Sequence, residues 1–176
     1  TSNNAVTLST STVGGDLNVT VGGGNSLNAT GAATAGGSIS LLADDDIIFT
    51  ASGDLTTTTG NITVTANNDS DSSGSGGALT MVDGTVFDAG TGTLALSADE
   101  DITLGLLQTT SSSDAAVTLT STSGGAFDGD SDSSLDIDAV DGRLVAELVT
   151  GFGTEFNAIE TTVSSVDIDN ATSGDI

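Results

Sequence analysis

The fold is decided by residues 92–104, which read GTLALSADEDITL. Apolar residues at Leu94 and Leu96 alternate with small or polar residues, an acidic turn follows, and the alternation resumes at Ile102 and Leu104. Alternation with a period of two is typical of a β-strand that buries one face. This stretch therefore predicts two short strands separated by an acidic corner.

The same alternation recurs along the chain. It appears in residues 15–21 (GDLNVTV), 37–41 (GSISL), 60–65 (GNITVT) and 116–120 (AVTLT), each opened by a small residue. Gly, Thr, Ser, Asn and Asp dominate these segments and are poor helix formers. Propensity and pattern therefore both predict an all-β chain.

The spacing of these strands is nearly constant. Equivalent aliphatic residues lie 22 residues apart from Leu17 to Ile39, 23 from Ile39 to Ile62 and 23 from Leu94 to Val117. Two intervals are longer, 32 residues from Ile62 to Leu94 and 27 from Val117 to Leu144. The extra residues coincide with the polar segments 67–77 and 128–134, which we predict to be excursion loops.

A repeat of this length indicates a stacked architecture. One strand-rich unit cannot bury its own apolar face, but it can wrap around an axis and place its strands on the next turn. We predict one domain over residues 1–176, a parallel β-helix or β-solenoid of about eight coils with roughly 22 residues per coil, wound right-handed. Columns of Leu, Ile and Val would fill its interior, and the absence of Pro keeps every backbone N–H available to the ladders.

Two other readings compete with the solenoid. An antiparallel sandwich also has short strands, but it needs hairpin turns. Asn-Gly does not occur, and Asp-Gly occurs at 83–84, 128–129 and 141–142. Disorder is favoured by few aromatic residues and high charge, but 36% of the residues are hydrophobic and they alternate in bursts.

The charged-residue content of the chain excludes several classes of function. The net charge is -24, with one Lys or Arg, no His and no Cys. These counts remove the usual proton shuttle, the Schiff-base lysine and the thiol nucleophile, so we expect no enzyme. Nucleic acid and anionic membranes would be repelled, and no apolar run reaches the ~18 residues of a membrane span.

Polysaccharide cleavage is the enzymatic activity most compatible with a parallel β-helix. Such a site would pair carboxylates with a basic residue that neutralises the substrate acid. The only basic residue is Arg143, which alternation places on the same strand face as Glu147. A surface ion pair is the simpler interpretation.

Two segments resemble a known family. Residues 92–104 and residues 151–166 (GFGTEFNAIETTVSSV) resemble the filamentous-haemagglutinin-type repeat regions of large secreted bacterial adhesins and surface fibre proteins. The resemblance implies a secreted β-helical fibre for adhesion or cell-surface structure. Residues 174–176 (GDI) are similar to the strand opening at 15–17 (GDL), and we interpret the chain as one unit of a tandem array or a head-to-tail filament.

We therefore expect an extracellular or cell-surface structural module, a fibre, stalk or adhesin shaft, whose main partner is itself through unpaired strand edges. One alternative is a carbohydrate- or surface-binding adhesin module that uses an outward face or the 67–77 loop. A lower-ranked alternative is an ice-binding solenoid. Its outward columns would contain Asn18 and Thr20, Ser38 and Ser40, Thr63 and Thr65, and Thr118 and Thr120.

Acidic clusters suggest one cofactor, calcium. Asp128, Asp130 and Asp132 alternate as ligands do in a calcium loop, although Ser133 and Ala139 stand where such a loop has Gly and Glu. Residues 44–46 (DDD) and 99–101 (DED) occupy equivalent places in two coils. They are predicted to be either a self-repelling carboxylate ladder screened by a cation or solvated turns that keep the fibre soluble.

Overall fold

A computed structural model describes residues 4–67, 76–130, 132–172 and 174. Within these residues the regular structure consists of 18 β-strands and no helix. Every pair of named strands is parallel. The predicted parallel β-solenoid is confirmed, and the antiparallel sandwich is wrong. The described residues contain no helix long and apolar enough to cross a bilayer.

The strands form three faces along the solenoid, which we call A, B and C. Face A stacks β1 (Val6–Leu8), β4 (Leu27–Ala29), β7 (Ile47–Phe49), β10 (Leu79–Met81), β13 (Ile102–Leu104) and β16 (Ala126–Asp128). Face B stacks β2 (Ser11–Val13), β5 (Ala33–Ala35), β8 (Leu55–Thr57), β11 (Val86–Asp88) and β14 (Leu106–Gln108). Face C stacks β3 (Leu17–Val21), β6 (Ile39–Ala43), β9 (Ile62–Thr65), β12 (Leu94–Ala98) and β15 (Val117–Ser121).

The last two coils have longer strands. β17 (Ile137–Leu148) and β18 (Thr161–Asn170) each continue from face B into face C, and their pairing has one register irregularity, between Ala139 and Arg143. We number the coils from β1, so β16 and β17 belong to the sixth coil and β18 to the seventh. The isolated bridge between Ala126 and Phe152 continues face A into the seventh coil.

The register of face C confirms the intervals seen in the sequence. Its column of paired residues runs Leu17, Ile39, Ile62, Leu94, Val117, Leu144 and Val166. The solenoid has about seven coils, not the predicted eight. The difference arises because the 32-residue and 27-residue coils use more chain than a uniform repeat of 22 allows.

The two predicted excursion loops are described in part. Residues 68–75 of the 67–77 loop and Ser131 of the 128–134 loop lie outside the described residues. Residues 129–136 connect β16 to β17, whereas Gly105 alone connects the equivalent strands β13 and β14 one coil earlier. The long coil thus places additional acidic residues at the corner between faces A and B.

The core is a set of aliphatic columns on the axis of the coils. The inward residues of β6, β9 and β12, such as Leu41, Ile62 and Leu94, are completely buried. Two aromatic rings, Phe49 and Phe87, meet edge to face with their centroids 4.7 Å apart. These columns bury apolar area without a second layer, because each coil packs on the one before it.

Gly allows close stacking at the corner before face C. A column of Gly15, Gly37, Gly60 and Gly92 follows from the register of the strands after it. A Cβ on Gly60 would lie 2.1 Å from the carbonyl oxygen of Gly37. At Gly60 and Gly92 the carbonyl of the preceding coil therefore leaves no room for a side chain.

Candidate functional site

Aspartates at the corners bind the backbone of the next coil. Their carboxylates accept hydrogen bonds from amide N–H groups of that coil. The distances are 2.8 Å from Ser38 to Asp16, 2.9 and 3.0 Å from Gly77 and Ala78 to Asp46, 2.9 Å from Val86 to Asp54, 3.0 Å from Gly125 to Asp101, and 2.8 Å from Glu160 to Asp136. Many acidic residues are therefore structural groups, in addition to making the surface negative.

The proposed ladder between residues 44–46 and 99–101 is interrupted. Ile47 pairs with Leu79, and Leu79 pairs with Ile102, so a whole coil lies between the two acidic turns. Backbone amides of that coil donate hydrogen bonds to both acidic turns, since Gly77 donates to Asp46 and Gly76 donates to Glu100. The direct carboxylate ladder is wrong, since hydrogen-bond donors separate the charges.

The predicted calcium ligands Asp128, Asp130 and Asp132 lie along one loop and mainly bind its own backbone. Asp130 N–H donates to Asp128 Oδ1 at 2.9 Å, Asp132 N–H to Asp130 Oδ1 at 2.8 Å, and Ser134 N–H to Asp132 Oδ1. The bond from Ser134 lowers the pKa of the exposed Asp132 carboxyl. Calcium binding by these three residues stays a prediction.

The structure brings Asp128 together with two other carboxylates. Asp128 ends β16, Asp136 precedes β17, and Glu160 precedes β18 one coil later. One carboxylate oxygen from each of the three lies within 4.8 Å of the others. We call Asp128, Asp136 and Glu160 the corner cluster. It lies between faces A and B and joins the sixth coil to the seventh.

Asp128 occupies a core position. It pairs in register with Leu104, and the same inward column contains Leu8, Ala29, Phe49 and Met81. The residue is 9% exposed, and within the described residues its Oδ2 atom is buried without a hydrogen-bond partner. A buried carboxylate oxygen without a partner is costly unless a proton or a cation neutralises it.

Asp136 is more deeply buried, at 3% exposure. Burial raises the pKa of its carboxyl to about 7. The amide of Glu160 opposes this rise by donating a hydrogen bond, while the nearby Asp128 and Glu160 carboxylates reinforce it. The cluster therefore concentrates negative charge that the backbone balances only partly.

Within the residues that the structure describes, no protein cation neutralises the corner cluster. The chain has one basic side chain and no His. That residue, Arg143, makes an ion pair with Asp167 of β18 on the partly exposed surface. The predicted partner on its own strand, Glu147, is therefore replaced by a residue of the next coil. Among the described groups none supplies positive charge to the cluster, which leaves bound protons or a cation from solution to neutralise it.

Two of the three cluster residues were not predicted from the sequence. Asp136 and Glu160 lie 24 residues apart, a separation close to one coil, and each directly precedes a strand. Aligning the residues before Ile137 with those before Thr161 would have placed them side by side, because these two residues pair in register. Alternation of acidic residues within one loop does not reveal a partner that lies one coil away.

The outward residues of face C do not form uniform Thr columns. Asn18 pairs with Ser40 and Ser40 with Thr63, whereas Thr20 pairs with Leu42, so the predicted correspondence of Ser38 with Asn18 and of Ser40 with Thr20 is wrong. Ser38 lies outside this column and accepts the amide of Asn61 through its hydroxyl. In later coils the same face carries apolar and acidic residues, namely Ala95, Val145, Glu147, Asp167 and Asp169. Ice binding finds little support in this mixture.

Comparisons identify no relative: the chain matches no family model, no curated protein and no solved structure. The resemblance to filamentous-haemagglutinin-type repeats therefore stays a prediction that rests on residues 92–104 and 151–166.

Proposed function

We propose that this chain is an extracellular structural module, a fibre, stalk or adhesin shaft, that associates end to end through the edges of its solenoid. The observation that carries the proposal is that both ends of the solenoid present apolar residues beside strands that pair on one edge. At the first coil, Leu8, Val13, Leu17 and Val19 are only partly buried against the core. Within the described residues, β1, β2 and β3 each pair with one other strand.

The opposite end is also apolar. Val166 belongs to the inward column of face C yet is 51% exposed, and it lines a hollow with Phe152, Ile159 and Ile168. Strand edges with apolar neighbours favour pairing with similar edges. Stacking a first coil on a seventh coil would continue the column from Val166 to Leu17. Such a contact is heterologous, and repeated copies build an open filament when the rotation does not close.

Assembly can be tested with one matched pair of variants. Val166→Asp introduces a charge into the end column, whereas Val82→Asp introduces one on the side of the fourth coil, where Val82 is 44% exposed. We expect the wild-type protein and Val82→Asp to form concentration-dependent linear oligomers at about 0.15 M salt, where charge repulsion is screened over ~8 Å. Val166→Asp should remain monomeric.

The measurements are sedimentation velocity over a wide concentration range and electron microscopy of negatively stained material. Circular dichroism checks whether each variant keeps its β-structure. A wild-type protein that stays monomeric at every concentration, or oligomers that Val166→Asp leaves unchanged, would contradict association through this end.

A further inference from the structure

We propose that Asp128, Asp136 and Glu160 bind a calcium ion that links the sixth coil of the solenoid to the seventh. The proposal does not depend on end-to-end association. It differs from the predicted Asp128, Asp130 and Asp132 loop in two of its three ligands.

The first argument is convergence. Three carboxylates from two coils present oxygen atoms within 4.8 Å of one another. Calcium binds oxygen at about 2.3–2.6 Å, so ligands on opposite sides of the ion lie up to about 5 Å apart. The separation of the cluster oxygens fits around one such ion.

The second argument is the buried oxygen of Asp128. A carboxylate at a position that is Leu104 in the previous coil gives up aliphatic packing. Its Oδ2 atom is buried without a hydrogen-bond partner in the described residues. Its other oxygen accepts the amide of Asp130, so the loop orients the side chain while leaving Oδ2 available to a ligand. A metal ion bound to Oδ2 would give this buried oxygen the positively charged partner that it lacks.

The third argument is charge balance. The only basic side chain of the protein pairs with Asp167, outside the cluster. The cluster lacks thiolate and imidazole donors, and such an all-oxygen set suits hard cations. Calcium suits it better than magnesium, since calcium accepts irregular geometry and magnesium demands a near-ideal octahedron.

Access and hydration are compatible with a bound ion. A surface cleft of about 230 Å³ adjoins the cluster and is lined by Asp130, Ser134 and Asp136. Water in this cleft can complete the six to eight oxygen ligands that calcium usually takes. The ion would thus enter through this cleft and link the residues that flank strands β16, β17 and β18.

The test uses the full chain stripped of metal by chelator. Calcium chloride and magnesium chloride are titrated by calorimetry at about 0.15 M potassium chloride, which weakens diffuse ion binding to the acidic surface. We expect one saturable calcium site per chain, weaker magnesium binding, and a higher melting temperature with calcium. Glu160→Gln should lower calcium affinity by about tenfold or more.

Asp132→Asn is the matched control. It removes one exposed carboxylate of the predicted loop, keeps an oxygen acceptor for Ser134, and leaves the cluster intact. We expect its calcium affinity to stay close to that of the wild-type protein. If Asp132→Asn weakens binding as much as Glu160→Gln does, the loop binds the ion and the proposal is wrong.

Asp128→Leu tests the core position separately. Leucine restores the residue type of the previous coil, so the metal-free variant should melt higher than the metal-free wild type and should no longer respond to calcium. A calcium-dependent rise in melting temperature that persists in Asp128→Leu would overturn the proposal. So would a wild-type protein without a saturable calcium site, in which case protons alone neutralise the cluster.

Discussion

At the scale of single residues, the solenoid is stabilised by side chains that fill its narrow interior. Phe49 and Phe87 come from successive coils and from different faces, and their edge-to-face contact fills the space between those faces. Both rings are completely buried. Each ring buries a large apolar area, which helps to offset the entropy of ordering the chain.

Truncating one of these rings should destabilise the folded protein. We expect Phe87→Ala to reduce the free energy of unfolding by about 3–5 kcal/mol, because it removes the aromatic contact and leaves a cavity between two coils. Phe156→Ala is the control, since Phe156 is 91% exposed. Its effect should remain within about 0.5 kcal/mol. Urea unfolding followed by circular dichroism measures both, and equal losses would show that the buried ring is not a packing centre.

Some core positions could be predicted from the sequence, and others could not. The column of Leu17, Ile39 and Ile62 could be predicted because each residue opens an alternating burst at a regular interval. Asp128 could not be assigned to a core column in the same way. Its acidic neighbours suggested a surface loop, whereas its register with Leu104 places it inside. A local pattern does not reveal which residues the next coil brings close.

At the scale of elements, corners determine how closely coils stack. The Gly column before face C brings backbone against backbone, and the corner aspartates bind the amides of the following coil. The sequence predicted strands and turns at these places. It did not predict that β17 passes unbroken from Ile137 to Leu148 through the Asp-Gly pair at 141–142, because Asp-Gly usually signals a tight turn.

The Gly column can be tested within itself. Gly60→Ala should destabilise the fold by about 1–3 kcal/mol, because its Cβ would meet the Gly37 carbonyl and the coils would have to separate. Gly15→Ala adds the same methyl group at the first position of the column, where no atom lies within 4 Å of the new Cβ. Its effect should be small. Comparable destabilisation of both variants in urea would indicate a conformational cost of alanine and not a stacking clash.

At the scale of the whole molecule, stability should decrease from the middle toward the ends. Inward residues of β6 and β12 are buried, whereas β1 and β18 have mostly exposed or half-buried residues. Each coil of a solenoid contacts only its neighbours, so a terminal coil loses one of its two interfaces. The regular spacing in the sequence predicted this stacked architecture. The number of coils was overestimated by about one, because the coils are unequal in length.

Hydrogen exchange should show this gradient. At concentrations where the protein is monomeric, amides of β1 and β18 should exchange faster than those of β6, β9 and β12. The faster exchange would reflect a smaller free energy of local opening. Mass spectrometry of peptides from each coil measures the effect. The same peptides in a denatured sample provide the intrinsic exchange rates as the control. Uniform protection along the chain would mean that the solenoid opens only as one unit.

The direction of the coil-to-coil hydrogen bonds also has a mechanical consequence. Parallel strands stacked along the axis direct these bonds along it. A force pulling the two ends apart therefore acts on coil junctions in series, and an end coil, with one neighbour, unwinds before the middle. Each coil of 22 residues, the interval from Leu17 to Ile39, releases roughly 75 Å of extended chain. Under tension, such a rod lengthens in steps and absorbs work as an extensible tether does.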